Sequence, residues 1–368
     1  MGSLLLSLGA RVIKVEQPGS GDPARTVSPW GFLNYNWGKS SLSLDLKSGA
    51  GQKTLYELVS KADIFIENMR PGVPEGLNFS YKHLKEINPR LIYCSIKGFA
   101  TGRRDYSKPA FDAVAQAMSG IMSLTGEPDG EPLRVGNPSV DLGAAAYGTI
   151  EVLAAILDRQ RSGKGKFIEV SLLDMSVYWN GYWITYYGIT KKVPSRLGSS
   201  HLGYSPHKVF RTRDGKYFLI AALSDAQWRK LSETLSLPLG SEFADMKYRL
   251  SHRLETETAV QDAIGKLDST EVLTKLGKVV PCAPVRSIDE IYHDAELYQA
   301  GVLRDTIYRT SGKEHMVRIA TSPLFFQTQP SRRDTMASPE LGENTESVLK
   351  WLGYTPSEIR KLRQQGIV

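Results

Sequence analysis

The feature that most constrains this chain is an alternation. Between residues 11 and 171, short segments rich in β-branched and aromatic residues take turns with longer segments whose apolar residues recur at helical spacing. Residues 11–16 (RVIKVE), 63–67 (DIFIE), 91–96 (LIYCSI) and 166–171 (KFIEVS) read as strands, and residues 51–62, 81–87, 111–124 and 142–160 read as helices. Parallel strands need a crossover between them, usually a helix, so this order predicts an α/β unit with a parallel sheet and helices on its faces. Residues 3–8 read as the end of a helix that enters the first strand. A sheet of this class would normally carry another strand before that helix.

The texture then changes. Residues 172–187 are rich in Tyr and Trp and read as an exposed or interface helix, and residues 191–207 are dense in Gly, Ser and Pro, a linker signature. Residues 209–220 form a predicted hairpin with Asp214 and Gly215 at its turn. From residue 225 to 300 helices alternate with little strand content. Near the C-terminus two helical runs are divided by Gly353 and Pro356. A length of 368 residues suits two domains at roughly 100–200 residues each. The expected division is a large domain over 1–190, a linker over 191–207, a small α+β domain over 208–305, and a linker with returning helices over 306–368.

Composition narrows the function. The net charge of +7 is modest, no arginine-rich tail is present, and nothing suggests nucleic acid or a bilayer as partner. No stretch approaches roughly 18 uninterrupted apolar residues, so no transmembrane helix is expected. The N-terminal MGSLLLSLGAR places its cation after the apolar run, the reverse of a signal peptide. Two cysteines, Cys94 and Cys282, are too few for a disulfide scaffold, and a reducing cytoplasm is the expected location. There is no GxGxxG after a strand, no GxxxxGK[ST] and no HExxH. His201 and His207 share a loop without a third ligand, so no metal site is expected.

Three loops follow predicted strands and pair a cation with glycine: 16–25 with Arg25, 68–72 with Arg70, and 97–99 with Lys97. Ligands of open parallel sheets bind beyond the carboxyl ends of the strands. These loops are either a pocket for a phosphorylated ligand or ordinary turns with solvated cations. Asp141 precedes a long apolar helical run and is either an N-cap or a carboxylate nucleophile whose pKa the helix N-terminus would keep low. Gly143 and the three alanines after it would leave space for an acyl group. Asp112, near the start of the preceding helix, carries the same two readings.

The stretches LGARVIKVEQPGSGDPAR, KSSLSLDLKSGAGQKTLYELVSKADIFIENMRPG, NPRLIYCSIKGF, PAFDAVAQAMSG, VDLGAAAYG, RSGKGKFIEVSLLD and LGENTESVL follow in order along the chain. In this ordered set the chain resembles the class III coenzyme A-transferase family, which includes formyl-CoA and carnitine-CoA transferases and 2-methylacyl-CoA racemases. The resemblance implies a Rossmann-like large domain, a smaller middle domain and an interlocked, ring-like homodimer. It implies coenzyme A thioesters and carboxylic acids as substrates, with no tightly bound cofactor. It implies that Asp141 is the acylated aspartate, and Asp112 is taken with it as a catalytic residue. Arg25, Arg70, Lys97 and Arg104 fall where CoA is held, and residues 198–203 match a glycine-rich loop over the active site. The acids themselves are not legible; dicarboxylates are the expectation, from spare cations near these loops.

Departures from the pattern choose between branches. Racemases place a histidine before the Asp112 position; here it is Phe111, which is neither acid nor base. Their glutamate after the hairpin falls at Ser224, with Asp225 next to it as a conceivable replacement. Transfer is therefore expected, racemisation is the alternative, and a non-catalytic CoA-binding paralogue is a second alternative. Relatives also begin with a strand before the Leu-rich helix, and about 25–30 residues of that pattern are missing here, a mis-set start being the simplest expectation.

Overall fold

The computed structural model of the protein describes residues 1–310, 313–324 and 337–368. It divides into two compact units, one of residues 1–119, 136–182 and 294–368, the other of residues 120–135 and 183–293.

The first unit is built on parallel strands. β1 (Ile13–Glu16) pairs in parallel with β2 (Ser40–Ser43). β3 (Ile64–Glu67), β4 (Ile92–Lys97) and β5 (Phe167–Ser171) form a second parallel sheet in that order. Four of these strands lie where the residue pattern predicts. β2 was not predicted, because its SSLS has one apolar residue and no β-branched one. β4 is central, and Ile92, Tyr93 and Cys94 are almost fully buried, as expected of a strand covered on both faces. The helices Gly49–Lys61 and Tyr81–Ile87 bring Leu55, Leu58, Val59 and Leu84 into one core with Leu42 and Tyr93. Val348, from the C-terminal helix Thr345–Leu352, joins that core. The same end of the chain ties down β2. Asn344 Oδ1 accepts from Ser41 N at 2.9 Å, and Thr345 Oγ1 accepts from Ser43 N at 3.0 Å.

The long helix Ser139–Ser162 packs on β4 and β5 through Val140, Ala144 and Val152, each fully buried. Although charged residues interrupt its apolar run, it is long and apolar enough to span a bilayer by length and composition, a test that the core helix of a soluble protein also passes. Its opposite side carries Ile150 and Leu157, 61% and 64% exposed, with Leu153 between them. The expected helix over 111–124 is two, Asp112–Ser119 and Ile121–Leu124, broken at Gly120 with φ 91°. The expected helix over 172–187 is likewise two, Leu172–Trp179 and Gly181–Thr190.

In the second unit, β6 (His207–Arg211) and β7 (Tyr217–Ala221) make the predicted hairpin, with Gly215 at φ 81° in its turn. β8 (Cys282–Pro284), too short to leave a pattern, adds to β7. The helices Asp225–Leu235, Arg253–Ile264 and Ser269–Leu276 cover this sheet around Phe210, Phe218, Trp228 and Val260. Arg249, fully buried, donates to the carbonyls of Ser205, Phe243 and Ala244 and to Asp225.

The two units divide the chain differently from the expected domains. Residues 120–135 and 183–190, expected in the large domain, fall in the second unit, as does the expected linker, and residues 294–305, expected in the small domain, fall in the first. The reason is backbone capture: Arg196 donates to the carbonyls of Glu127 and Gly130, and Gly198 N donates to Gly126 O. Residues 306–368 do not open on a bare linker. β9 (Leu303–Thr310) and β10 (Lys313–Ala320) form an antiparallel hairpin in the first unit, laced by Arg309–Glu314 and Arg318–Asp305 ion pairs.

Candidate active site

The site is assembled at the carboxyl end of β4, where an open parallel sheet presents its loops. Gly98 follows Lys97 there, and a Cβ on it would lie 2.2 Å from that of Ala110, so only glycine lets the loop before Asp112 fold back this closely. Leu173 N donates to Gly98 O at 3.1 Å and brings the start of helix Leu172–Trp179 to the same place.

Asp141 does not cap the long helix. It is the third residue of that helix, and the capping position falls on Pro138, which makes no side-chain cap bond. The cap comes from Asp112. One Asp112 oxygen accepts from Val140 N at 2.8 Å and from Asp141 N at 3.2 Å. Its other oxygen accepts from Gln116 Nε2. The cap expected of Asp112 is therefore real, but it serves the neighbouring helix. This arrangement also overturns the expected low pKa of Asp141. Burial, with the negative charge of Asp112 added to it, pushes the Asp141 carboxyl up to about 6. The residue opens to solvent on one side, but enough protein surrounds it to disfavour its anion.

The space expected beside Gly143 is filled. A Cβ on Gly143 would meet the Trp179 ring at 2.4 Å and the Met175 methyl at 2.9 Å. Glycine here admits an indole from the adjoining helix, not an acyl group. Tyr147, one turn on, meets Tyr178 edge-on with ring centroids 6.0 Å apart.

The four expected cations fall into two classes. Arg25 forks onto Glu16, with Nε and Nη2 each 2.8 Å from a carboxylate oxygen, and stacks over Phe32 at 4.1 Å. Its Nη1 donates to Pro339 O at 3.1 Å. Burial would raise the Glu16 carboxyl, but hydrogen bonds from Arg25, Ser41 and the Asp22 N–H outweigh it and hold it below the usual range. Lys97 is buried, and its Nζ lies 2.9 Å from both oxygens of Glu67 and 2.6 Å from Met69 O. These two cations shape their loops. Arg70 and Arg104 are exposed, and their guanidinium groups hold no hydrogen-bond or ion-pair partner among the described residues. Arg103, beside Arg104, is tied to Asp174 at 2.6 Å.

In the second unit, residues 198–203 are pinned. Ser199 Oγ accepts from Val209 N, Ser200 Oγ donates to Glu257, and Arg253 donates to Leu202 O. His201 stacks on His207 with ring centroids 5.1 Å apart. Ser224 caps its helix by accepting from Gln227 N, and Asp225 is committed to Arg249 at 2.9 Å. Phe111 is 63% exposed. Among the described residues no cluster of three His, Cys, Asp or Glu side chains is placed to hold a metal ion. Gln116 was missed in the sequence; its one signal is its position a helical turn after Asp112.

The parallel α/β unit thus presents a partly desolvated carboxylate at the start of a helix. The chain belongs to CoA-transferase family III, whose model matches residues 1–345. It is 33% identical over 345 residues to a succinyl-CoA:mesaconate CoA-transferase of Haloarcula hispanica, covering 89% of this chain and 86% of that one. It is 32% identical over 380 residues to a mouse succinyl-CoA:glutarate CoA-transferase, covering 98% and 84%. A crystal structure of a CAIB/BAIF family protein from Brucella suis superposes with a TM-score of 0.85 at 31% identity, covering 95% of this chain and 94% of that one. The protein is thus a class III CoA-transferase.

Proposed function

We propose that the protein moves coenzyme A from a dicarboxylic acyl-CoA to a second dicarboxylic acid, with Asp141 as covalent carrier. An Asp141 oxygen attacks the thioester carbonyl, the C–S bond breaks, and CoA leaves as thiolate, giving an acyl-aspartyl anhydride. The thiolate then attacks the aspartyl carbonyl, the donor acid departs, and an aspartyl-CoA thioester remains. The acceptor carboxylate attacks that thioester, forming a second anhydride, and the returning thiolate takes the new acyl group. Splitting one exchange into covalent steps lowers each barrier. The observation that carries this reading is the Asp112–Asp141 pair at the carboxyl end of β4. Arg70 and Arg104, with free guanidinium donors, are the cations assigned to the CoA phosphates. The dicarboxylate class is supported by the names of the relatives, which pair succinyl-CoA with mesaconate or glutarate. Racemisation is disfavoured by the ion pair that holds Asp225 and by Phe111.

Incubation with a panel of acyl-CoA donors, trapping with hydroxylamine and peptide mass spectrometry tests the reading. The expected result is a hydroxamate at Asp141 with succinyl-CoA and weak labelling with monocarboxylic donors. Turnover with Asp141 always unmodified would overturn it.

The protein is further assigned a cytoplasmic homodimer, without nucleic acid or membrane as partner. The exposed apolar stripe of Ile150, Leu153 and Leu157 supports a second copy as its cover. Ile150→Glu is expected to move the protein from dimer to monomer in light scattering; an unchanged mass would remove this stripe from the interface.

A further inference from the structure

The long helix that carries Asp141 begins without a cap of its own, because Pro138 makes none. Its first N–H groups are gathered instead by a residue 28 positions earlier, Asp112, whose second oxygen is held by Gln116. Asp112 is 6% exposed and Gln116 0%, so this is a buried fixture and not a solvated contact. A free helix start would have offered its N–H groups to the Asp141 carboxylate and stabilised the anion.

We propose that Asp112, oriented by Gln116, is the positioning residue that sets the reactivity of Asp141: it withholds the helix N–H groups from that carboxylate and places its own charge beside it. The proposal rests on the reading of Asp141 as nucleophile. When an Asp141 oxygen bonds to the thioester carbon and the C–S bond breaks, the negative charge leaves with the CoA thiolate. Repulsion present in the resting site is thereby relieved as the anhydride forms, a gain that belongs to the transition state and not to the ground state. Helix Asp112–Ser119 contributes the one charged group acting strongly on Asp141 among the described residues. Helix Leu172–Trp179 contributes Met175 and Trp179 at Gly143, and its Asp174 is neutralised by Arg103.

The test is the pH profile of kcat/KM for succinyl-CoA in the wild-type, Asp112→Asn, Asp112→Glu and Gln116→Met proteins. The wild-type rate is expected to fall on the acid side through about pH 6. In Asp112→Asn that limb moves down, by at most about one pH unit, because the neighbouring charge is gone while burial, the larger cause, stays. In Asp112→Glu, which keeps the charge, the limb stays. In Gln116→Met, kcat falls about fivefold or more at an unchanged KM for acyl-CoA, a loss that structural support alone would not confine to kcat. An unmoved limb in a folded Asp112→Asn overturns the proposal. Should that variant fail to fold, an unchanged kcat in Gln116→Met overturns it equally. Hydroxylamine labelling of Asp141 in the wild type separates this failure from failure of the nucleophile assignment.

Discussion

Asp141→Asn leaves CoA transfer reduced by on the order of 10⁴-fold or more, the scale on which a covalent nucleophile is missed. The asparagine keeps the volume and the backbone bonds of the site, so substrate affinity stays close to wild type and the loss lies in kcat. The same variant is expected to melt higher at neutral pH. The folded-state pKa of Asp141 is raised to about 6 from an ordinary 3.8, so the native state binds its proton more tightly than the unfolded chain. Stability from this group is therefore lost as pH rises from about 4 to about 6, and stays lost above. Removing the charge recovers it, so Asp141→Asn gains melting temperature at pH 8 and gains none near pH 3. Differential scanning calorimetry at the two values reads the difference. Equal shifts at both would mean that the carboxylate is not under strain in the native site.

Lys97→Met is expected to cost about 3–5 kcal/mol of folding stability, because it strands Glu67 as an unpaired buried carboxylate between β3 and β4. Denaturant unfolding followed by the aromatic signal checks this. The opposite assignment, Lys97 as a phosphate ligand, predicts a raised KM for acyl-CoA with stability intact. Arg70→Ala is expected to behave in that second way, with KM up by about tenfold, since loss of a charge-assisted hydrogen bond is worth ~1.5–3 kcal/mol. The two variants together separate a cation that builds a loop from one that meets the substrate.

Residue type alone does not make that separation. In the sequence Arg25, Arg70 and Lys97 look alike, each a cation beside a glycine after a strand. What divides them is a partner: Glu16, ending β1, holds Arg25, and Glu67, ending β3, holds Lys97 at the end of β4. The strands themselves were legible where β-branched and aromatic residues fill them, as in IFIE and IYCSIK. β2 with its SSLS was not, because its pairing rests on long-range partners that periodicity does not record, and the local β9–β10 hairpin was not, because charged and polar residues interrupt its apolar alternation. Asp112 and Asp141 were legible as a pair of carboxylates near helix starts. Their roles were not, because a cap from another helix has no fixed spacing.

One further consequence follows from the C-terminal residues that hold β2. The backbone N–H groups of Ser41 and Ser43 find their acceptors in Asn344 and Thr345, some three hundred positions later. During synthesis these two amides stay unmatched until nearly the whole chain has left the ribosome. The stretch 183–293 emerges well before that and holds its own core. Translation thus imposes an order in which the inserted body matures ahead of the body that encloses it in sequence, and a ribosome stalled short of residue 345 would release a chain with a raw sheet edge.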